Sequence, residues 1–152
     1  MNPRRFALVA GILMIALAAL SFIPSLNWNN DALIPLKLDA SHGHFLGIIP
    51  LNIVNKIALF VFGVGGIAAS SWKDRAVPAS INYSRVLFYV MGVLAILGII
   101  PDTRTLFGYA PLYNGHIGVS VLLAVLGAYF GYRLPIAAHD RLVERHLDPK
   151  HA

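Results

Sequence analysis

Long apolar runs alternate with short polar segments along this chain, and the pattern predicts a multi-span membrane protein. The first run, Phe6 to Ile23, holds eighteen residues without a charge directly after Arg4 and Arg5. About 20 apolar residues form a helix that crosses a bilayer core, and lipid offers the backbone no hydrogen-bond partners. We therefore predict an all-α integral membrane protein with four transmembrane helices, at about 6–23, 50–71, 86–100 and 111–132.

Prolines set the predicted ends of these helices. Pro24 and Pro101 stop the first and third helices, whereas Pro50 and Pro111 fall in the first turns of the second and fourth, where a missing N–H costs little. Lys73 to Arg85 is predicted to be a short polar connection between helices two and three. The first run is longer than the apolar core of a signal peptide, so we expect it to remain as a span.

The basic residues predict the orientation. One side of the predicted membrane carries nine of them, and the other carries only Lys37 and Arg104, with Lys56 near its edge. The nine are Arg4, Arg5, Lys73, Arg75, Arg85, Arg133, Arg141, Arg145 and Lys150. By the positive-inside rule both termini are cytoplasmic. Residues 133–152 are predicted to form a cytoplasmic amphipathic tail behind the four-helix domain of residues 1–132.

A short internal repeat indicates that the two halves are related. Gly47 to Leu51 and Gly108 to Leu112 both read Gly-x-x-Pro-Leu, 61 residues apart, and Gly66 and Gly127 keep the same offset. Helices one and three both end in Ile-Pro. The pattern predicts two duplicated helical hairpins. Duplicated halves occur in transporters, and gene duplication alone accounts for them equally well.

These motifs resemble a known family. Gly47 to Asn52, the glycine-rich helix after it and the segment Leu106 to Leu112 resemble a bacterial four-helix membrane family catalogued as domain of unknown function 4383. The resemblance covers about Phe6 to Tyr132. It implies a four-helix fold in the bacterial cytoplasmic (inner) membrane, or in an intracytoplasmic membrane derived from it, and it implies no activity.

Composition narrows the function classes. Hydrophobic residues make up 57% of the chain and charged residues 12%, against about 25% charged residues in soluble domains. The net charge of +5 comes from residues that flank apolar segments, so we predict no nucleic-acid partner. The absence of cysteine excludes disulfides and thiolate chemistry. Since no catalytic constellation appears, we predict that the protein is not an enzyme.

Three histidines are the candidate ligands for a cofactor. His42, His44 and His116 fall at the predicted outer ends of helices two and four. Imidazoles bind zinc, copper or haem iron, but no carboxylate or cysteine accompanies these three. We therefore predict loop histidines without a metal and no cofactor beyond lipid contacts, and keep chlorophyll or haem binding as an alternative.

Four further residues are candidates for interaction. Lys56 is the only charge inside an apolar run, and we expect it to snorkel to the headgroups or to pair with Asp39 or Asp102. Trp28 is a candidate interfacial anchor. Gly63 and Gly66 favour close helix packing, within the chain or at a face shared with another protein.

The function predicted from these features is that of a non-catalytic accessory or structural subunit. It would join a larger bacterial membrane complex, of photosynthetic or respiratory type, by lateral helix packing against other integral membrane subunits and lipids. A small oligomeric transporter or channel is the first alternative, because the halves are duplicated and Lys56 is charged. A pigment-, haem- or metal-binding membrane protein that uses the outer histidines is the second.

Overall fold

Four long helices dominate the computed structural model of the protein, which describes residues 1–28, 33–38 and 40–136. They are α1 (Pro3–Leu20), α2 (Ile53–Ser71), α3 (Ala76–Ile99) and α4 (Gly115–Ala128). The fourth continues through a π-helical turn, Tyr129–Arg133, as far as Ile136. Within the described residues each of the four is long and apolar enough to cross a membrane, which confirms the predicted helix number. Residues 137–152, most of the predicted tail, lie outside the described part.

Asparagine side chains begin the first two helices. Asn2 caps α1 by accepting a hydrogen bond from the backbone N–H of Arg5, and Pro3 occupies the first helical position. Asn52 caps α2 by accepting from the N–H groups of Val54 and Asn55. The predicted place of Pro50 in the first turn of this helix is therefore wrong. Pro50 lies in an edge strand, where its missing N–H interrupts no ladder.

The third helix begins far earlier than its apolar run. It starts at Ala76, so the predicted polar connection Lys73 to Arg85 is wrong and only residues 72–75 join α2 to α3. Pro78 falls in the first turn, where the N–H would have no helical partner. Ser84 is buried and satisfied because its hydroxyl donates to the carbonyl of Ser80 at 2.8 Å. Polar residues in this stretch thus do not break the helix.

The fourth helix begins later than predicted. Asn114 precedes its first residue, Gly115, and has a positive φ of 52°. Pro111 therefore lies in the preceding loop and not in the first turn, which corrects the prediction. Its carbonyl accepts a hydrogen bond from the Asn55 side chain at 2.9 Å, so the loop is bound to α2.

A small antiparallel sheet closes one end of the helices and was not predicted. Its strands are β1 (Asn27–Trp28), β2 (Gly43–Phe45) and β3 (Ile49–Leu51), in the order β1-β2-β3. Strands of two or three residues are too short to show an alternating hydrophobic pattern. We call this end, with the loop of residues 101–114, the sheet end, and the opposite end, with Met1 and residues 72–75, the terminal end.

The helices pack as two hairpins. α1 lies along α2 and α3 along α4, while α3 also contacts α1 and α2, and α2 and α4 touch little. At the terminal end the rings of Phe6 and Phe130 stack with centroids 4.3 Å apart, which joins α1 to the last turn of α4. The core between the hairpins is filled by Met14, Leu87 and Met91.

Candidate functional site

Lys56 lies in the first turn of α2 and is covered by the sheet end of the structure. Its side chain is 1% exposed. Its ammonium donates to the hydroxyl of Ser41 at 2.6 Å and lies 4.8 Å from the centroid of the Phe22 ring. The predicted snorkelling to the headgroups stays a prediction, and among the described residues the ammonium contacts Ser41 and Phe22.

No carboxylate pairs with Lys56 among the residues that the structure describes. The predicted pairing with Asp102 is wrong, because Ser41 and Phe22 are the contacts its ammonium makes there. Asp39, the other predicted partner, lies outside the described residues. Through its hydrogen bond to Ser41 the ammonium holds the loop before β2 onto α2, and the face of the Phe22 ring lies beside it.

Two asparagines next to Lys56 bind the loops to the same helix. The side-chain N–H groups of Asn52 donate to the carbonyls of Leu38 and Tyr109, at 3.1 and 2.6 Å. Asn55 donates to Pro111 as described above. Asn52 thus caps α2 and binds two loops, and Asn55 bonds across the fold. The polar side chains at the start of α2 thus hold the neighbouring loops in place.

The three candidate histidines occupy different environments. His44 lies in β2 between Trp28 and Pro50 and is 3% exposed. Burial, and secondarily the nearby charge of His42, lowers the pKa of His44 below its ordinary 6.5. His116 lies in α4, where its Nδ1 is 3.2 Å from the hydroxyl of Ser120. Across the described residues no three His, Asp or Glu side chains are grouped to hold a metal ion.

A cavity lies between α2, α3 and α4 beneath the loop of residues 106–112. Its volume is about 140 Å³. Its walls are largely apolar, and its polar side chains are Asn55, His116 and Ser120. The sequence analysis missed it, because its walls come from three helices and a loop and no linear motif joins them. The one signal in the sequence is the spacing of His116 and Ser120, which places both on one helix face.

Gly63 and Gly66 are used inside the chain. A Cβ at Gly63 would lie 2.8 Å from the carbonyl oxygen of Gly11, and one at Gly66 would lie 2.6 Å from that of Ala7. Both glycines thus let α1 approach α2, so of the two alternatives, close packing within the chain or a face shared with another protein, the contacts correspond to the first. Trp28 remains 61% exposed, with its ring against Gly47, which fits the predicted anchor without testing it.

Comparison with known proteins identifies a protein family. A family model described as "Domain of unknown function (DUF4383)" matches residues 4–133. No curated protein and no solved structure matches the chain. The match extends over the four helices, the sheet and the cavity, and its description names no activity.

Proposed function

The chain belongs to this family of unknown function, and we propose that it acts as a non-catalytic accessory subunit of a larger membrane complex. It would sit in the bacterial inner membrane, or in an intracytoplasmic membrane derived from it, and bind other integral subunits and lipids by lateral helix packing. A photosynthetic or respiratory assembly is the kind of host that we propose.

One observation carries this proposal: toward the two ends of the helix bundle five polar or charged side chains bind atoms within the chain, while the large side chains exposed along the described helices are mostly apolar. At the sheet end Asn52, Asn55 and Lys56 bind loop atoms. At the terminal end Arg4 donates to the carbonyl of Ser70 and Arg85 to that of Gly131. A transport path needs polar groups along the span, and this arrangement supplies few.

Orientation and duplication belong to the same proposal. The positive-inside rule favours a cytoplasmic terminal end. Two matching contacts support duplicated hairpins: Gly66 meets the backbone of α1 at Ala7, and Gly127 meets that of α3 at Ser84. Ala7 and Ser84 are separated by the same number of residues as Pro24 and Pro101, the prolines that follow α1 and α3.

The second hairpin offers the face that we propose for lateral contact. A Cβ at Gly92 in α3, or at Gly118 in α4, would meet nothing within 4 Å. Large exposed apolar residues flank both glycines, among them Tyr89, Ile96 and Leu122. Without a hydrophobic effect between helices in lipid, association depends on close packing, and open glycines permit it.

Purification from the native membrane tests the proposal. The tagged chain, extracted in mild detergent, should carry stoichiometric partner subunits that mass spectrometry identifies. Gly92→Leu or Gly118→Leu should release them while the chain stays inserted and folded. Val64→Leu, on the exposed face of α2, is the matched control and should retain them. A chain that purifies as a lone oligomer and moves a solute across liposomes unaided would support the transporter alternative instead.

The cavity bears on the pigment or haem alternative. Pockets for drug-sized ligands span about 300–1,000 Å³, whereas this cavity has about 140 Å³. A tetrapyrrole does not fit inside it. The cavity therefore gives no support to chlorophyll or haem as its ligand. Its volume fits a smaller ligand.

A further inference from the structure

The cavity marks the place where the two hairpins separate. α2 and α4 touch little, and the loop of residues 106–112 covers the gap between them at the sheet end. Apolar cavities of about 150 Å³ stay dry and bind a benzene ring. At about 140 Å³ this cavity has room for one six-membered ring.

His116 gives the cavity wall a polar group. Within the described residues the Ser120 hydroxyl is the one hydrogen-bond partner of the ring, and the ring is the one side-chain partner of that hydroxyl. If the hydroxyl donates to Nδ1, the proton left without a partner is Nε2–H. If Nδ1–H donates instead, the hydroxyl proton is left and Nε2 is an acceptor. One acceptor on a ligand satisfies the remaining donor of the first arrangement, whereas the second needs both an acceptor and a donor, so we adopt the first.

Asn55, the third polar side chain, also lines the cavity. Its side-chain nitrogen uses one of its two N–H groups on the carbonyl of Pro111 at 2.9 Å, so a second N–H remains for a ligand. The cavity thus combines an apolar space of one ring with N–H donors that have no partner among the described residues, the second N–H of Asn55 and the Nε2–H of His116. Its complement is a ring that carries a hydrogen-bond acceptor.

We propose that this cavity binds a membrane-soluble molecule through one six-membered ring bearing a carbonyl oxygen. The ring fills the space lined by Leu59, Leu94 and Leu123, and the carbonyl oxygen accepts a hydrogen bond from Nε2–H of His116. Ser120 is a positioning residue, because its hydroxyl sets the protonated nitrogen. The inference is independent of the accessory-subunit proposal and holds for the isolated chain.

Two probes of matched shape test the proposal in the full chain reconstituted into lipid nanodiscs. 4-Fluoroacetophenone carries the carbonyl, and 1-ethyl-4-fluorobenzene has a methylene in its place. Fluorine NMR measures their binding against empty nanodiscs. We expect saturable binding of both, with the ketone roughly two- to tenfold tighter, the factor that one net hydrogen bond supplies.

Variants assign the effect to named residues. His116→Leu should make the two affinities equal, and Leu123→Trp should abolish saturable binding of both by filling the space. Ala58→Leu fills it from α2 if the tryptophan variant does not fold. Gly118→Ala is the matched control on α4, where an added Cβ meets nothing within 4 Å, and should change neither affinity.

Three results would overturn the proposal. Equal affinities in the unmodified chain would show a space that accepts any lipid-like group. A ketone preference that persists in His116→Leu would place the donor elsewhere. Binding no greater than to empty nanodiscs would show that the cavity takes no ring.

Discussion

Gly66→Ala should destabilise the protein, whereas Gly65→Ala should not. The two glycines are neighbours in α2, so the substitutions share a helix, a depth and a change of one methyl group. A Cβ at position 66 would lie 2.6 Å from the backbone oxygen of Ala7, while one at position 65 would meet only the Tyr83 ring, at 3.8 Å. The pair therefore differs in packing against α1 and also against α3, because a Cβ at position 66 would lie 3.0 Å from the hydroxyl of Tyr83.

The magnitude follows from these distances. Ordinary contacts between non-bonded heavy atoms are about 3.5–4.0 Å, so α1 and α2 must separate by about 1 Å near position 66. The oxygen of Ala7 belongs to a helix backbone and cannot rotate away. Overpacking of this kind costs about 1–3 kcal/mol. Alanine also favours a helix over glycine by about 1 kcal/mol, but both variants gain this term, so their difference isolates the packing cost.

Reversible unfolding in mixed micelles measures this difference. The fraction of an added denaturing detergent is raised while circular dichroism follows the helices. We expect Gly65→Ala to match or exceed the stability of the unmodified chain and Gly66→Ala to lie about 1–3 kcal/mol below Gly65→Ala. Stabilities that agree within about 0.5 kcal/mol would show that α1 and α2 do not approach as closely as described. In α4, Gly127→Ala against Gly118→Ala repeats the test, since position 127 faces the Ser84 oxygen at 2.7 Å.

Three further outcomes are expected. Single cysteines placed at positions 2 and 150 of this cysteine-free chain should both react only from the cytoplasmic side, and labelling of either from outside intact cells would refute the orientation. Lys56→Met should insert and fold, because it removes a buried charge together with its hydrogen bond to Ser41, while hydrogen exchange rises around Ser41; failure to insert would contradict this. Acidification should weaken the sheet. Because burial lowers the pKa of His44 from 6.5, the folded state resists protonation, so the contribution of this histidine to stability is full above that pH and declines below it. Hydrogen exchange of β2 and β3, corrected for the intrinsic exchange rate, should show this decline. His44→Gln should remove it.

The helices could be predicted from the sequence because each needs a long apolar run, but their bounds could not. The start of α3 was missed because residues 76–85 are partly polar. In the structure Ser84 binds a helix carbonyl and Pro78 sits in a first turn. Both satisfy the backbone rules of a helix without contributing to an apolar run. The polar residues therefore indicated where the predicted membrane core ends, and α3 extends beyond that point.

The sheet end was the least predictable region, because its order comes from contacts between distant segments. Asn52 binds the carbonyls of Leu38 and Tyr109, and Lys56 binds Ser41. Each residue was visible as a polar group at a helix start, but its partners lie in loops that carry no periodic signal. Gly63 and Gly66 show the same limit. The sequence predicted close packing correctly and gave no means of choosing α1 over another protein.

The two hairpins of the proposed duplication share their helix packing and differ in a polar position at the start of their second helices. Gly66 and Gly127 lie 61 residues apart and make the same kind of contact with the preceding helix of their hairpin. Asn55 and His116 keep the same separation, yet Asn55 binds the loop at Pro111 whereas His116 binds only Ser120 within the described residues. One polar position thus holds a loop in the first half, whereas in the second its ring contacts Ser120 of the same helix. Since the hairpins are alike where helices pack and unlike in the first turns of α2 and α4, a function specific to this chain should be sought at the sheet end, where the cavity lies.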